Sequence, residues 1–259
     1  MLIPFSKYHG TGNDFMMIDN RELGLSLSQS QIAQLCNRRF GIGADGLILL
    51  EIDSDTVKMV YYNSDGAPSS MCGNGGRCFV TFCQNLEILS DQGKFLAVDG
   101  MHPFKMIGNE VSLKMGDVDS IESIDDAVYM DTGSPHYVAM VDEVLDIDII
   151  NDAHKIRYNE RFSAEGTNVN FVEIMDGITH IRTYERGVED ETLSCGTGAT
   201  ACAIAMHRLG NVSETDIPIK VLGGKVSVSF QPKADGSYSN IWLTGPTTHV
   251  FTGKTELPA

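Results

Sequence analysis

The alternation of apolar and polar positions divides the chain into many short strands and a few helices. Residues 7–19 read as a strand, a Gly-rich turn (Gly10-Thr11-Gly12) and a second strand. Ser28 is suited to cap a helix running to about Arg38, with Ile32, Leu35 and Cys36 on one face. A loop rich in glycine follows, then a short buried strand over 47–51 and another over 57–62 that ends in the turn Asn63-Ser64-Asp65-Gly66. The pattern predicts a helix over 74–89 and antiparallel strands over 95–98, 102–107 and 111–115.

From Val128 the same order begins again. The stretch 132–142 echoes 11–19 at an offset of 121 to 123, and Arg161-Phe162 echoes Arg39-Phe40 at 122. Asn168 falls where Asp45 sits, Tyr184 where Tyr61 sits and Val221 where Val98 sits, each 123 residues on. Five echoes in one order at nearly one spacing indicate a duplicated domain, and the period is far longer than that of solenoid repeats. The expected fold class is α+β, with two pseudo-symmetric lobes, each a mostly antiparallel sheet or barrel wrapped around a central helix. The weakly patterned acidic stretch between Gly116 and Asp126 sets the expected boundary, giving lobes 1–117 and 118–247.

Composition narrows the function classes. The chain has 259 residues, 42% of them hydrophobic, and a formal net charge of −16. So acidic a chain does not suit nucleic-acid binding, which needs basic patches. No apolar run reaches the length of a membrane span, and no basic-then-apolar segment opens the sequence, so a cytoplasmic location is expected. The six cysteines are therefore expected as reduced thiols. Their spacing does not fit a zinc site, so no metal is expected.

Two cysteines stand apart. Cys72-Gly73-Asn74-Gly75 and Cys195-Gly196-Thr197-Gly198 share the pattern Cys-Gly-x-Gly, 123 residues apart, and each runs into helix-forming residues. A helix N-terminus offers unpaired N–H groups and a partial positive charge, which bind a carboxylate and favour a thiolate. Either loop alone reads equally well as a Gly-rich turn carrying an inert cysteine. Two matched loops in mirrored lobes suit racemisation or epimerisation, which needs a base on one face of a stereocentre and an acid on the other. Equivalent loops of paired lobes are expected to share a cleft. Cys36, Cys78, Cys83 and Cys202 read as core. His136 lies in the Gly-rich turn of the second half, and Glu185-Arg186 closes the strand before the second cysteine loop. Arg186 suits a second substrate carboxylate, or else forms an ordinary surface ion couple. Asn13, Asn63, Asn74 and Asn168 are turn residues by default and also suit a zwitterionic amino acid.

Taken together, His9-Gly10-Thr11-Gly12-Asn13-Asp14-Phe15, Cys72-Gly73-Asn74-Gly75-Gly76-Arg77-Cys78, Gly133-Ser134-Pro135-His136, and Tyr184-Glu185-Arg186-Gly187 ahead of Cys195-Gly196-Thr197-Gly198 resemble the diaminopimelate epimerase family over essentially the whole chain. The resemblance implies a cofactor-independent enzyme interconverting LL- and meso-diaminopimelate for lysine and peptidoglycan synthesis. By matching position, Cys72 and Cys195 are the implied acid/base pair, and His136 and Glu185 support proton transfer. Gly73, Asn74, Gly196 and Thr197 are implied to hold the carboxylate at the reacting centre. Asn13, Asn63, Asn168, Glu185 and Arg186 are implied substrate contacts, with Arg186 on the distal carboxylate. The resemblance further implies a homodimer and a C-terminal segment, 248–259, that returns to the first lobe.

Three positions depart from the family pattern. Gly46 stands where some members carry glutamine, Ser134 where many carry asparagine, and the stretch 188–194 is one residue longer. Two alternatives stay open on the residues: a sister racemase acting on another amino acid, and a thiol switch in which Cys72 and Cys195 join on oxidation.

Overall fold

The runs Phe15-Met16-Met17-Ile18 and Leu47-Ile48-Leu49-Leu50 have no polar alternate, the mark of strands covered on both faces. The computed structural model, which describes residues 2–258, bears this out. Two compact units divide the chain: Met1–Leu113 with Pro246–Ala259, and Lys114–Gly245.

In the first unit, β1 (Leu2–Gly10) and β2 (Asn13–Asp19) form a hairpin with Tyr8 opposite Phe15. Helix α1 (Gln29–Cys36) crosses to β3 (Gly46–Asp53), which lies parallel to β2. Ser28 begins α1 with a capping box: its side chain accepts from the Gln31 N–H, and the Gln31 side chain accepts from its own. Next come β4 (Thr56–Asn63), antiparallel to β3, and α2 (Gly73–Asn85). They are followed by β5 (Gln92–Ala97), parallel to β4, then β6 (Gly100–Ile107) and β7 (Glu110–Lys114), paired antiparallel in turn. The C-terminal strand Thr248–Glu256 pairs antiparallel with β1.

Strand periodicity assigns the two faces. Phe15, Met17, Ile48 and Leu50 pack with Cys78, Phe79 and Phe82 of α2. Met16, Ile18, Leu47 and Leu49 pack with Ile32, Leu35 and Cys36 of α1.

The second unit repeats this order. It contains β8 (Ile121–Ile124), β9 (Ala127–Asp131), β10 (Pro135–Met140), α3 (Ile149–Arg157), β11 (Asn168–Met175) and β12 (Ile178–Glu185). The short β13 (Asp190–Thr192), α4 (Gly196–Arg208), β14 (Asp216–Val221), β15 (Gly224–Pro232) and β16 (Tyr238–Gly245) complete it, which makes the C-terminal strand β17. The parallel pairs β10–β11 and β12–β14 bracket α3 and α4. Val138 and Val172 face α4, whereas Val169 and Phe171 face α3. Strand β8 pairs with β9 as β17 pairs with β1.

Three elements depart from the pattern reading. Helix α2 stops at Asn85 rather than Leu89, because Glu87 turns left-handed, with φ 58°. The weakly patterned boundary stretch between Gly116 and Asp126 contains β8. The pattern did not single out α3. Among the described residues, no helix is long and apolar enough to cross a membrane.

Candidate active site

Cys72 and Cys195 are the N-cap residues of α2 and α4, both in extended conformation and both without a side-chain cap. The capping position normally holds Ser, Thr, Asp or Asn, which would accept from the first-turn amides. Here neither cysteine side chain takes that role, and a helix N-terminus of this kind suits an anionic ligand. The glycines of the turn permit close packing beneath it. A Cβ on Gly75 would come 3.2 Å from Cδ1 of Ile48, and one on Gly198 would come 2.8 Å from Oδ1 of Asn170. The remaining cysteines are buried in the cores as expected. Burial pushes the thiols of Cys36 and Cys78 up to about 12, and raises Cys83 and Cys202 as well.

Around Cys72, the thiol donates to Oδ1 of Asn13 at 3.6 Å. The same oxygen accepts from Nδ2 of Asn74 at 3.2 Å, while Nδ2 of Asn13 donates to Asp45 at 2.8 Å. Asn74 is oriented from below by Arg77, which is fully buried and donates to Oδ1 of Asn74 at 2.9 Å and to the Gly73 carbonyl at 3.2 Å. Asp45 and Asp14 are in turn gripped by Arg38, and Lys7 pairs with Asp14 at 2.6 Å and donates to the Gly43 carbonyl. Burial raises the Asp14 carboxyl, but its bonds to Arg38 and Lys7 outweigh that and hold it down to about 2. Asn63 ends β4, where its N–H donates to the Ala67 carbonyl at 3.0 Å.

Around Cys195, the sulfur lies 3.4 Å from the Thr197 hydroxyl, which lies 2.9 Å from Nε2 of His136. The Thr132 hydroxyl donates to the Thr197 carbonyl at 2.9 Å. Burial, with Arg186 adding to it, holds His136 down to about 3, so the ring is neutral. Asn168 donates to Ser134 Oγ at 2.9 Å and to the Pro135 carbonyl at 2.8 Å, and accepts from the Arg186 amide at 2.9 Å. The Arg186 guanidinium donates to the Glu165 carbonyl at 3.2 Å and to Ser134 Oγ at 3.4 Å. Glu185 is half-buried at the end of β12.

Each unit therefore gathers its own expected residues: Asn13, Asn74 and Cys72 in the first, with Asn63 at the end of β4, and His136, Asn168, Arg186, Thr197 and Cys195 in the second. The departures have physical accounts. A Cβ on Gly46 would meet the Tyr61 ring at 2.5 Å and the Tyr62 carbonyl at 2.6 Å, so glutamine does not fit there without rearrangement. In the longer 188–194 stretch, Glu189 takes φ 58°. Its carboxylate accepts from Arg157 at 2.9 Å and Tyr158 at 3.0 Å, which ties the turn to α3. Sequence reasoning missed Asn170, Thr183 and Arg77. An asparagine two residues beyond Asn168, on the same strand face of an otherwise apolar run, was the available signal for Asn170.

Comparisons with known proteins agree with this architecture. A Bacillus anthracis phenazine biosynthesis protein of the PhzF family superposes with a TM-score of 0.77 at 12% identity, covering 99% of each chain. A probable proline racemase from Agrobacterium radiobacter K84 gives 0.68 at 14%, covering 99% of this chain and 93% of its own. These likenesses define the class: an α+β protein of the fold shared by PhzF-like proteins and proline racemases. The diaminopimelate epimerase family model matches residues 5–118 and 128–250. A diaminopimelate epimerase from Flavobacterium psychrophilum is 51% identical over 249 residues, 95% of this chain and 97% of that one. The chain belongs to the diaminopimelate epimerase family.

Proposed function

We propose that this protein interconverts LL- and meso-diaminopimelate by a two-base mechanism. The thiolate of one cysteine, Cys72 or Cys195, removes the α-proton, and the thiol of the other protonates the opposite face. The uncapped helix N-termini, through Gly73 and Asn74 and through Gly196 and Thr197, hold the α-carboxylate and spread the carbanion's charge into it. Asn13, Asn63, Asn168, Glu185 and Arg186 contact the substrate, with Arg186 on the distal carboxylate, and His136 and Glu185 assist proton transfer. No cofactor or metal enters this reading. Its setting is lysine and peptidoglycan precursor synthesis in the cytoplasm, by a homodimer whose lobes, 1–117 with 248–259 and 118–247, arose by duplication.

The observation that carries the proposal is the occurrence of cysteine, not a capping residue, at the N-cap of both buried glycine-rich helices. Incubation with diaminopimelate in D₂O tests it. Deuterium is expected to enter at the α-carbon, and Cys72→Ala and Cys195→Ala are each expected to abolish interconversion. Absence of exchange by the unaltered protein would sink the reading.

A further inference from the structure

The buried polar groups beneath Cys195 determine which way its hydrogen bonds run. Asn170 of β11 is fully buried. One group of fixed polarity orients its carboxamide: the Tyr137 carbonyl, which can only accept, lies 3.0 Å from Nδ2, and the Thr183 hydroxyl, free to turn either way, then donates to Oδ1 at 2.9 Å. Nδ2 also donates to Nδ1 of His136 at 3.1 Å. A ring nitrogen that accepts carries no proton. Because the enclosed ring is neutral, its one proton sits on Nε2 and is donated to the Thr197 hydroxyl oxygen at 2.9 Å. That hydroxyl then turns its own proton to the Cys195 sulfur, 3.4 Å away.

We propose that Asn170 is a positioning residue: by fixing the tautomer of His136 it aims the Thr197 hydroxyl as a donor at Cys195, and so favours the thiolate there in the free protein. The inference rests on the acid/base reading of Cys195 given above. Gly198 belongs to the same arrangement, since a Cβ there would press on both Oδ1 of Asn170 and Cε1 of His136. Arg186 further disfavours a charged His136, and Cys202 is held neutral by burial. At Cys72 the polarity is reversed, because there the thiol donates to the acceptor oxygen of Asn13 at 3.6 Å. The two thiols thus meet partners of opposite character.

The test begins with the unaltered protein labelled with ¹⁵N-histidine, the His136 signals being assigned by their loss in His136→Gln. The neutral Nε2–H tautomer is expected throughout about pH 5 to 8, and an Nδ1–H tautomer would overturn the proposal. The second measurement is iodoacetamide alkylation of Cys195 against pH, read by peptide mass spectrometry. Asn170→Leu and Thr197→Val are each expected to raise the midpoint by about one pH unit, about tenfold in rate below it. The double variant is expected to move it no further, because both act through one hydroxyl. An unchanged midpoint in Asn170→Leu beside a shifted one in Thr197→Val would overturn the proposal, since a merely structural asparagine lowers stability without moving the midpoint. Should Asn170→Leu fail to fold, Thr183→Val gives the same readout, with Thr183→Ser restoring the original midpoint. Loss of α-deuterium exchange with these shifts intact would defeat the epimerase reading alone. Exchange without the shifts would defeat this inference alone.

Discussion

Asn74 and Thr197 hold the same place in their helices, two residues past the cysteine, and pair differently with what surrounds them. Asn74 is locked from below by Arg77 and bonds sideways to Asn13. Thr197 is locked by His136 and faces the sulfur itself. The second arrangement depends on Gly198. Gly198→Ala places a methyl group 2.8 Å from Oδ1 of Asn170 and 3.3 Å from both Cβ of Cys195 and Cε1 of His136, buried side chains with little room to yield. Thermal or urea unfolding is expected to show a loss of about 1–3 kcal/mol, and epimerisation is expected to fall at least about tenfold as the hydroxyl is displaced. Arg186→Lys tests the distal end. The guanidinium donates through one terminal nitrogen to the Glu165 carbonyl and through the other to Ser134, and an ammonium cannot reproduce that planar two-pronged geometry. Steady-state kinetics are expected to show KM for diaminopimelate raised about tenfold, with a smaller change in kcat. The placement of Cys72 and Cys195 was legible because a cap position, a glycine pair and a repeat coincide in the sequence. Asn170 was not, because its importance lies in three partners from β10 and β12 that no local pattern brings together.

The central helices, α2 and α4, match in length at 13 residues each and end in the same way. In α4, Gly210 is left-handed, its N–H bonds the His207 carbonyl, and the Asn211 N–H reaches back to Met206. In α2, Glu87 takes the place of the glycine, bonding Gln84, while Ile88 reaches back to Cys83. Both are Schellman terminations, which favour glycine at the left-handed position. Glu87→Gly relieves the Cβ strain at an exposed site, and chemical denaturation is expected to show a gain of about 0.5–1 kcal/mol net of the added chain entropy. Gly210→Ala is expected to cost about 1 kcal/mol by the same measurement. A glutamate in a glycine's position also explains why the sequence pattern ran α2 on to Leu89: local composition carried no stop signal. Helix α3 was missed for the opposite reason. Its own composition is mixed, with only Ile149 and Ala153 fully buried, so periodicity alone is weak. The clue lay in its neighbours, because an apolar run such as Val169-Asn170-Phe171-Val172 implies covers on both faces, and α4 supplies only one.

At the scale of the whole molecule, acid pits general repulsion against two particular groups. The chain carries a net charge of −16 near neutrality, so mild acidification relieves self-repulsion, a diffuse effect screened by salt. His136 acts against this relief. Its ordinary pKa of 6.5 is held down to about 3 in the folded protein. Below about 6.5 the unfolded chain therefore binds a proton that the folded chain refuses, and stability falls with pH at about 1.4 kcal/mol per unit. By about pH 5 this amounts to roughly 2 kcal/mol, which exceeds what screened surface charge returns at physiological ionic strength. Asp14 adds a separate loss at lower pH: its stabilisation is complete above 3.8 and disappears as pH falls through about 2. The stability curve is thus expected to descend in two overlapping steps, one from about pH 6.5 to about 3 and another from about 3.8 to about 2. Denaturant melts across this range at 0.15 M salt check it. His136→Gln is expected to flatten the first step and leave the second, whereas Asp14→Asn flattens the second alone. A first step that persists undiminished in His136→Gln would show that the buried imidazole is not its source, and would point instead to the carboxylates spread over the surface.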